Sequence, residues 1–312
     1  MLNKIYQIFF LNIRHRSILF IIFGVFILSL SDNLYFFVDG DVGIWQYHCI
    51  RSSMIVVLLL VAAKITKTNL VPQKKTKVLL RSIFNTLAIF CHFGGLTFLS
   101  VAEAGAGLFT APIFVLIFSA LIFFDKIRWS SVLAVIIGTI GVIVLLQPSI
   151  TNFNPLLLFP IFAGFFYGLA IVTTKKWCSN ESTLGLTACY YLCFGLTGFV
   201  ITTLFHISGY NFNKFEGAEF FFVGWQSFDR EFLFWLTTQS FLNVTAITLI
   251  ISAYQKIDAS SLSVYEYFFL IFAAFWGWVL WSQTLTLEKW IGIVLIVFAG
   301  VIINTQRPLK QE

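Results

Sequence analysis

The sequence predicts an all-α membrane protein with ten transmembrane helices arranged as a 5+5 inverted-topology repeat. Three observations predict it. Of 312 residues, 59% are hydrophobic and only 11% charged, against roughly 25% charged in soluble chains. The apolar residues gather in runs long enough to cross a bilayer. The basic residues fall almost entirely on one side of those runs.

The runs lie at 17–37, 43–63, 78–99, 104–124, 130–147, 155–174, 184–205, 231–254, 259–281 and 289–304. No water reaches the hydrocarbon core, so each run must satisfy its own backbone hydrogen bonds as a helix. The first run follows Lys4, Arg14 and Arg16, like the basic flank of a signal peptide. No small-residue cleavage site follows, and the run continues to Phe37, so it reads as a retained helix. Connections are short except 206–230. There Gly209, Asn211, Asn213 and Gly217 are turn formers and Trp225 is an interfacial anchor.

With the first residue in the cytoplasm and strict alternation, the exterior holds only Lys214, Arg230 and Lys289. Arg51 falls inside a span, and every other Lys and Arg lies on the cytoplasmic side. Nine or eleven spans would spoil this bias. Both termini are therefore expected in the cytoplasm.

A repeat accompanies the even count. Glu103-Ala104-Gly105-Ala106 opens the fourth run and Asp258-Ala259-Ser260-Ser261 the ninth. Gly141-Val142-Ile143 with Gln147 and Pro148 closes the first half. Gly300-Val301-Ile302 with Gln306 and Pro308 closes the second. The expected units are residues 1–150 and 151–312. Five helices per half is odd, so the second half enters the membrane inverted, an architecture of carriers whose site lies between the halves.

Other classes fit poorly. The net charge of +6 is spread over loops and gathers on no single face, so nucleic acid is not expected as a partner. The five cysteines and four histidines form no metal-ligand spacing, and no metal or cofactor is expected. HExxH, GxSxG and a carboxylate pair are absent from the sequence, so an enzyme is not expected. The expected partners are the bilayer, a small-molecule substrate and protons, with the chain a monomer or homodimer.

A charge at the centre of a membrane helix costs about 2.5–3.5 kcal/mol on insertion scales, so intramembrane polar residues are site candidates. Glu266 is the first, flanked by Tyr265 and Tyr267. Ser263, Glu266, Leu270, Ala273 and Gly277 form a small or polar stripe facing the bundle. Val264, Phe268, Ile271, Phe275 and Val279 form a bulky stripe facing lipid. Glu266 can take a proton, pair with a cationic substrate or hydrogen-bond a neighbouring helix. Arg51 lies too deep to snorkel easily; it can bind an anionic group or pair with Glu266 or Asp32. The third run carries Arg81, Asn85, Ala88, His92 and Gly95 on one stripe, with Arg81 as a cytoplasmic anchor and Asn85 and His92 as site candidates. The eighth run presents Gln239, Asn243, Ala246 and Ala253. Asp32 lines an exterior vestibule or sits among headgroups. Pro112 bends the fourth run, and Gly164-x-x-x-Gly168 allows close helix packing.

These residues resemble the two-copy EamA type of the drug/metabolite transporter superfamily. In the first half the likeness includes Trp45-Gln46, Arg51, Leu80-Arg81, Ala102-Glu103-Ala104, Phe109-Thr110-Ala111-Pro112, Asp125, Gly138, Gly141 and Pro148. In the second it includes Val264-Tyr265-Glu266-Tyr267, similar to a Pro-Phe-Glu-Tyr motif, then Gly277 and Gly300. Asp125 and Gln283 stand where the family usually ends its fourth and ninth helices with glutamate, and Val264 replaces the motif's proline. The resemblance implies a multi-pass, alternating-access carrier of the bacterial inner (plasma) membrane without covalent chemistry. It implies transport of an amino acid, an S-adenosylmethionine-like solute or a drug-like solute, by import or by export. For a sulfonium cation, Tyr265, Tyr267 and Trp276 would form an aromatic cage beside Glu266. A passive channel is the alternative.

Overall fold

The computed structural model describes residues 13–37, 42–96, 99, 101–147, 158–208, 219–284 and 286–304. Among them the ordered elements are all helical. The chain forms α1 (Ile13–Asn33), α2 (Ile44–Thr66), α3 (Lys75–Gly95), α4 (Val101–Leu108), α5 (Ala111–Leu121) and α6 (Trp129–Leu146). It continues with α7 (Leu158–Cys178), α8 (Thr183–Ser208), α9 (Arg230–Lys256), α10 (Ala259–Leu262), α11 (Phe268–Trp281) and α12 (Leu287–Asn304). Nine helical segments of the described residues are long and apolar enough to cross a membrane, α4–α5 and α10–α11 each counting as one. α12, the tenth run, stands outside that nine. Asp39, Asp41, Pro148, Gly209, Asn211, Asn213, Gly217, Gln306 and Pro308 lie outside the described residues.

Two runs expected to be single helices are interrupted. The fourth breaks at Phe109–Thr110, with Pro112 as the second residue of α5. Proline has no N–H to continue the ladder. The broken turn is repaired locally, since both the amide and the hydroxyl of Thr110 donate to the Gly107 carbonyl, at 3.1 and 2.6 Å. The ninth run tightens into a 3-10 segment over Ser263–Tyr267 between α10 and α11. A 3-10 turn has 3.0 residues, not 3.6, and this corrects the expected lipid-facing stripe: Val264 is fully buried. Further along α11 the expected face returns, with Phe275 and Val279 exposed and Gly277 buried.

The most extensive helix pairings are α6 with α12, α1 with α9, α3 with α7, α2 with α8, α1 with α11 and α5 with α7. Rows of large apolar side chains face outward, among them Leu19, Phe23, Leu60, Ile136, Leu196 and Phe298. Only lipid solvates such a surface without cost.

Polar contacts gather the helix ends into two layers. In one, Arg14 donates to the Ile303 carbonyl at 2.6 Å, Lys176 pairs with Asp125 at 2.5 Å, and Lys175 donates to the Lys256 carbonyl at 2.9 Å. In the other, the Gln46 amide exchanges two 2.8 Å hydrogen bonds with the Gln226 backbone, and Gln147 donates to Glu288 at 3.0 Å. Trp225 belongs to this second layer and donates to Thr203 at 3.1 Å.

Candidate substrate cavity

The bundle encloses a cavity of about 930 Å³, at the upper end of the range of small-molecule sites. It runs from Gln283, Thr284 and Lys289 at the α11–α12 connection inward to Arg81, Thr174 and Glu266. Apolar clusters flank it. One is built on α1, α5, α6, α7 and α9 to α12, the other on α2, α8, α9 and the 219–222 segment.

Glu266 projects from the 3-10 segment onto the cavity wall and is 7% exposed. Tyr254, near the end of α9, donates to its Oε1 at 2.5 Å, and the Tyr167 phenol of α7 hydrogen-bonds it as well. Two phenols fix the carboxyl group, and the remaining approach is from the cavity. This is the geometry for holding a proton or a cationic group.

Arg51 of α2 also lines the cavity and is 9% exposed. Its Nη1 donates to the Tyr47 hydroxyl at 2.9 Å, and its guanidinium lies 4.8 Å from the Tyr47 ring centroid. Its Nη2 meets His48 Nδ1 at 3.0 Å. Since a guanidinium only donates, Nδ1 is the acceptor there and the ring proton sits on Nε2. Tyr47 in turn donates to the side-chain oxygen of Gln239. Asn243, one turn along α9, donates to Ser31 at 2.5 Å and to the Gln239 carbonyl at 3.0 Å. The resulting net ties α1, α2 and α9 together. Asp32, at the end of α1, lines the cavity and interacts with Arg51 through space, without ion-pair contact.

Of the α3 stripe, Arg81, Asn85, Ala88 and Gly95 are buried and His92 is half-buried, and Asn85 and His92 line the cavity. Asn85 Oδ1 and His92 Nδ1 have no hydrogen-bond partner. Of the nine site candidates, six line this one cavity: Asp32, Arg51, Asn85, His92, Asn243 and Glu266.

Three do not. Tyr265 donates to the Gly300 carbonyl at 3.3 Å, Tyr267 shares a 3.0 Å hydrogen bond with Thr139, and Trp276 donates to the Phe26 carbonyl at 3.3 Å. An aromatic cage from these residues is not formed. Tyr265 and Tyr267, the neighbours of Glu266 in the tight helix, turn toward α12 and α6, and Trp276 further along α11 turns toward α1. Arg81 is likewise not an end anchor. It is 4% exposed, lines the cavity, and donates from Nε to Thr174 at 2.9 Å. Arg51 and Glu266 do not pair with each other.

Tyr167, Tyr254 and His48 are cavity residues that sequence reasoning missed. Tyr254 had a signal, because steps of four, three and four from Asn243 pass Ile247 and Ile250 and arrive at it. His48 had one too, a single turn before Arg51. Tyr167 had none, since only the packing of α7 against α3 brings it in.

Residues 15–147 match the EamA-like transporter family. An uncharacterized transporter of Helicobacter pylori is 23% identical over 239 residues, covering 75% of each chain. An S-adenosylmethionine uptake transporter of Rickettsia prowazekii is 24% identical over 209 residues, covering 67% of this chain and 65% of that one. A solved crystal structure superposes with a TM-score of 0.74 at 16% identity, over 92% of this chain and 96% of that one, so the two share a fold. Apolar helices around a polar cavity, a match of residues 15–147 to the EamA-like transporter family and relatives named as transporters agree: the chain is similar to the EamA-like transporters and reads as a membrane transporter of small molecules.

Proposed function

We propose that this chain is a ten-helix secondary transporter, with residues 1–150 and 151–312 as inverted five-helix repeats, taking up a cationic metabolite by alternating access. It would sit in the bacterial inner membrane with both termini cytoplasmic. The observation that carries the reading is Glu266, a carboxyl group held by Tyr167 and Tyr254 on a broken helix at the cavity wall.

Exchange of the two halves supports the repeat. It turns α1–α9 into α7–α3 and α1–α11 into α7–α5, and maps α2–α8 and α6–α12 onto themselves. The broken segments α4–α5 and α10–α11 occupy corresponding places, the arrangement that marks a carrier's site. A latch supports alternating access. Gln255 donates to the Cys178 and Glu181 carbonyls at 2.8 and 2.7 Å, and the Glu181 carboxylate accepts from the Gln73 and Lys74 amides at 2.9 and 2.8 Å. These contacts join α3, α7, α8 and α9 at the lysine-rich end, while the cavity reaches the opposite end at Thr284. The reading is therefore of an outward-facing state.

In this reading Glu266, Arg51, Asn85, His92, Asn243 and Asp32 contact the substrate, and Glu266 also offers a site for a coupled proton. The Rickettsia relative makes S-adenosylmethionine, with its sulfonium cation, the first substrate to try. The test is counterflow of labelled S-adenosylmethionine in proteoliposomes, beside a panel of amino acids and nucleosides. Saturable counterflow that disappears in Glu266→Gln, with the variant still monodisperse, is expected. Flux without saturation would identify a channel, and unchanged counterflow in Glu266→Gln would remove the carboxylate from the mechanism.

A further inference from the structure

Arg81 has no place in the reading above, yet its surroundings are unusual. It is 4% exposed and sits on the cavity wall. Its Nε is engaged by Thr174, but its Nη1 is buried without any partner. Among the described residues no carboxylate lies within ion-pair distance of it. Its principal electrostatic neighbours are Cys178, Tyr190, Tyr167 and Cys189, all phenols or thiols. A buried guanidinium without a counter-charge is costly, and an anion entering the cavity would relieve that cost.

The second cavity arginine differs. Both terminal nitrogens of Arg51 are occupied, by Tyr47 and His48, and only its Nε is unpartnered. Arg81 is also held in position. The Thr174 hydroxyl donates to the Ala170 carbonyl at 2.7 Å, which commits its proton and leaves its oxygen to accept from Arg81 Nε. The guanidinium plane is thereby fixed, which suits the planar two-point recognition that arginine gives carboxylates. Tyr167 hydrogen-bonds Glu266 and also interacts electrostatically with Arg81. The anionic and cationic groups of the wall thus share one tyrosine as a neighbour.

We infer that Arg81 forms an anion subsite with Thr174 as its positioning residue, so that the transported substrate is a zwitterion. Its carboxylate docks on Arg81 and its cationic group on Glu266. This rests on the cavity being the transport path.

The test uses competition for counterflow by matched pairs that differ only in the carboxylate. The probes are S-adenosylmethionine and its decarboxylated form, lysine and cadaverine, and methionine and 3-(methylthio)propylamine. In the wild-type protein the carboxylate-bearing member of each transported pair is expected to compete about tenfold better or more, the usual effect of a charged hydrogen bond. Arg81→Gln should bring that ratio to about one. Arg81→Lys, which keeps the charge but loses the fork, should retain part of it. Thr174→Val, which frees the guanidinium, should reduce it while leaving the charge in place. If Arg81→Gln does not remain monodisperse, the latter two variants decide. Counterflow with a ratio near one in the wild type, or an unchanged ratio in the variants, overturns the anion subsite alone. Absence of counterflow for every pair overturns the transporter reading and the subsite with it.

Discussion

Tyr47 shows how a charged residue is made tolerable inside the membrane. Its ring lies against the Arg51 guanidinium, and its hydroxyl accepts from Arg51 and donates to Gln239. One residue thus serves two buried polar groups, and Tyr47 itself is only 2% exposed. Tyr47→Phe keeps the packing but leaves Arg51 Nη1 and the Gln239 oxygen without partners. A loss of about 1–3 kcal/mol is expected, read as a lowered melting temperature of the detergent-solubilised protein; an unchanged melting temperature would show that cavity water replaces the phenol. At this scale the sequence is legible where the insertion cost is large. Glu266, Arg51, Asn85, His92 and Asn243 stand out because polar groups in lipid need a reason. Their partners do not stand out. Tyrosines such as Tyr167 and Tyr254 suit lipid, core and cavity alike. Arg81 was visible as a charge, but its proximity to the end of its run suggested an anchor.

At the scale of elements, run lengths and positions were readable to within a few residues. α1 covers Ile13–Asn33 against an expected 17–37. The interruption at Pro112 was legible, because proline cannot continue a helix. The one at Ser263–Tyr267 was not, because that stretch has neither proline nor glycine. The aromatic cage of Tyr265 and Tyr267 was an expectation drawn from the family resemblance, and the helical period placed neither residue on the stripe of Glu266. The broken α4–α5 segment explains the Gly164-x-x-x-Gly168 motif. A Cβ on Gly164 would overlap the Thr110 hydroxyl and come 2.7 Å from the Gly107 carbonyl, while one on Gly168 would come 2.9 Å from Phe114 Cβ. α7 thus packs directly on the repaired turn. Gly164→Ala is expected to destabilise by about 1–3 kcal/mol through overpacking. Gly105→Ala is the contrast. Its Cβ would meet only Leu146 at 3.5 Å, and a helical glycine replaced by alanine gains propensity. It should therefore be neutral or stabilising. Equal melting temperatures for the two variants would count against the tight packing of α7 on this break.

Across the whole molecule, charge and packing sort the helix ends in the same way. The layer that joins Arg14 to Ile303, Lys176 to Asp125 and Lys175 to Lys256 contains most of the basic residues expected in the cytoplasm. The layer joined by Gln46 with Gln226 and Gln147 with Glu288 contains few. Translocating a loop rich in Lys and Arg is disfavoured, so such a division fixes orientation. The proposed topology then places Lys75, at the start of α3, inside and Thr286, before α12, outside; both side chains are exposed. The five native cysteines all lie within helices, so wild-type cells supply the labelling background. With a membrane-impermeant maleimide on intact cells, Thr286→Cys is expected to label above that background. Lys75→Cys should label only after permeabilisation. The reverse pattern would place both termini outside and turn the latch of Glu181 and Gln255 into an exterior gate. Labelling of both positions from outside would require an even number of crossings between them, whereas the proposed arrangement has seven helical segments, counting each broken pair once, an odd number that brings the chain to the opposite face. That last outcome would remove the alternation on which the inverted repeat depends, and with it the argument that both halves contribute equivalent helices to one central cavity.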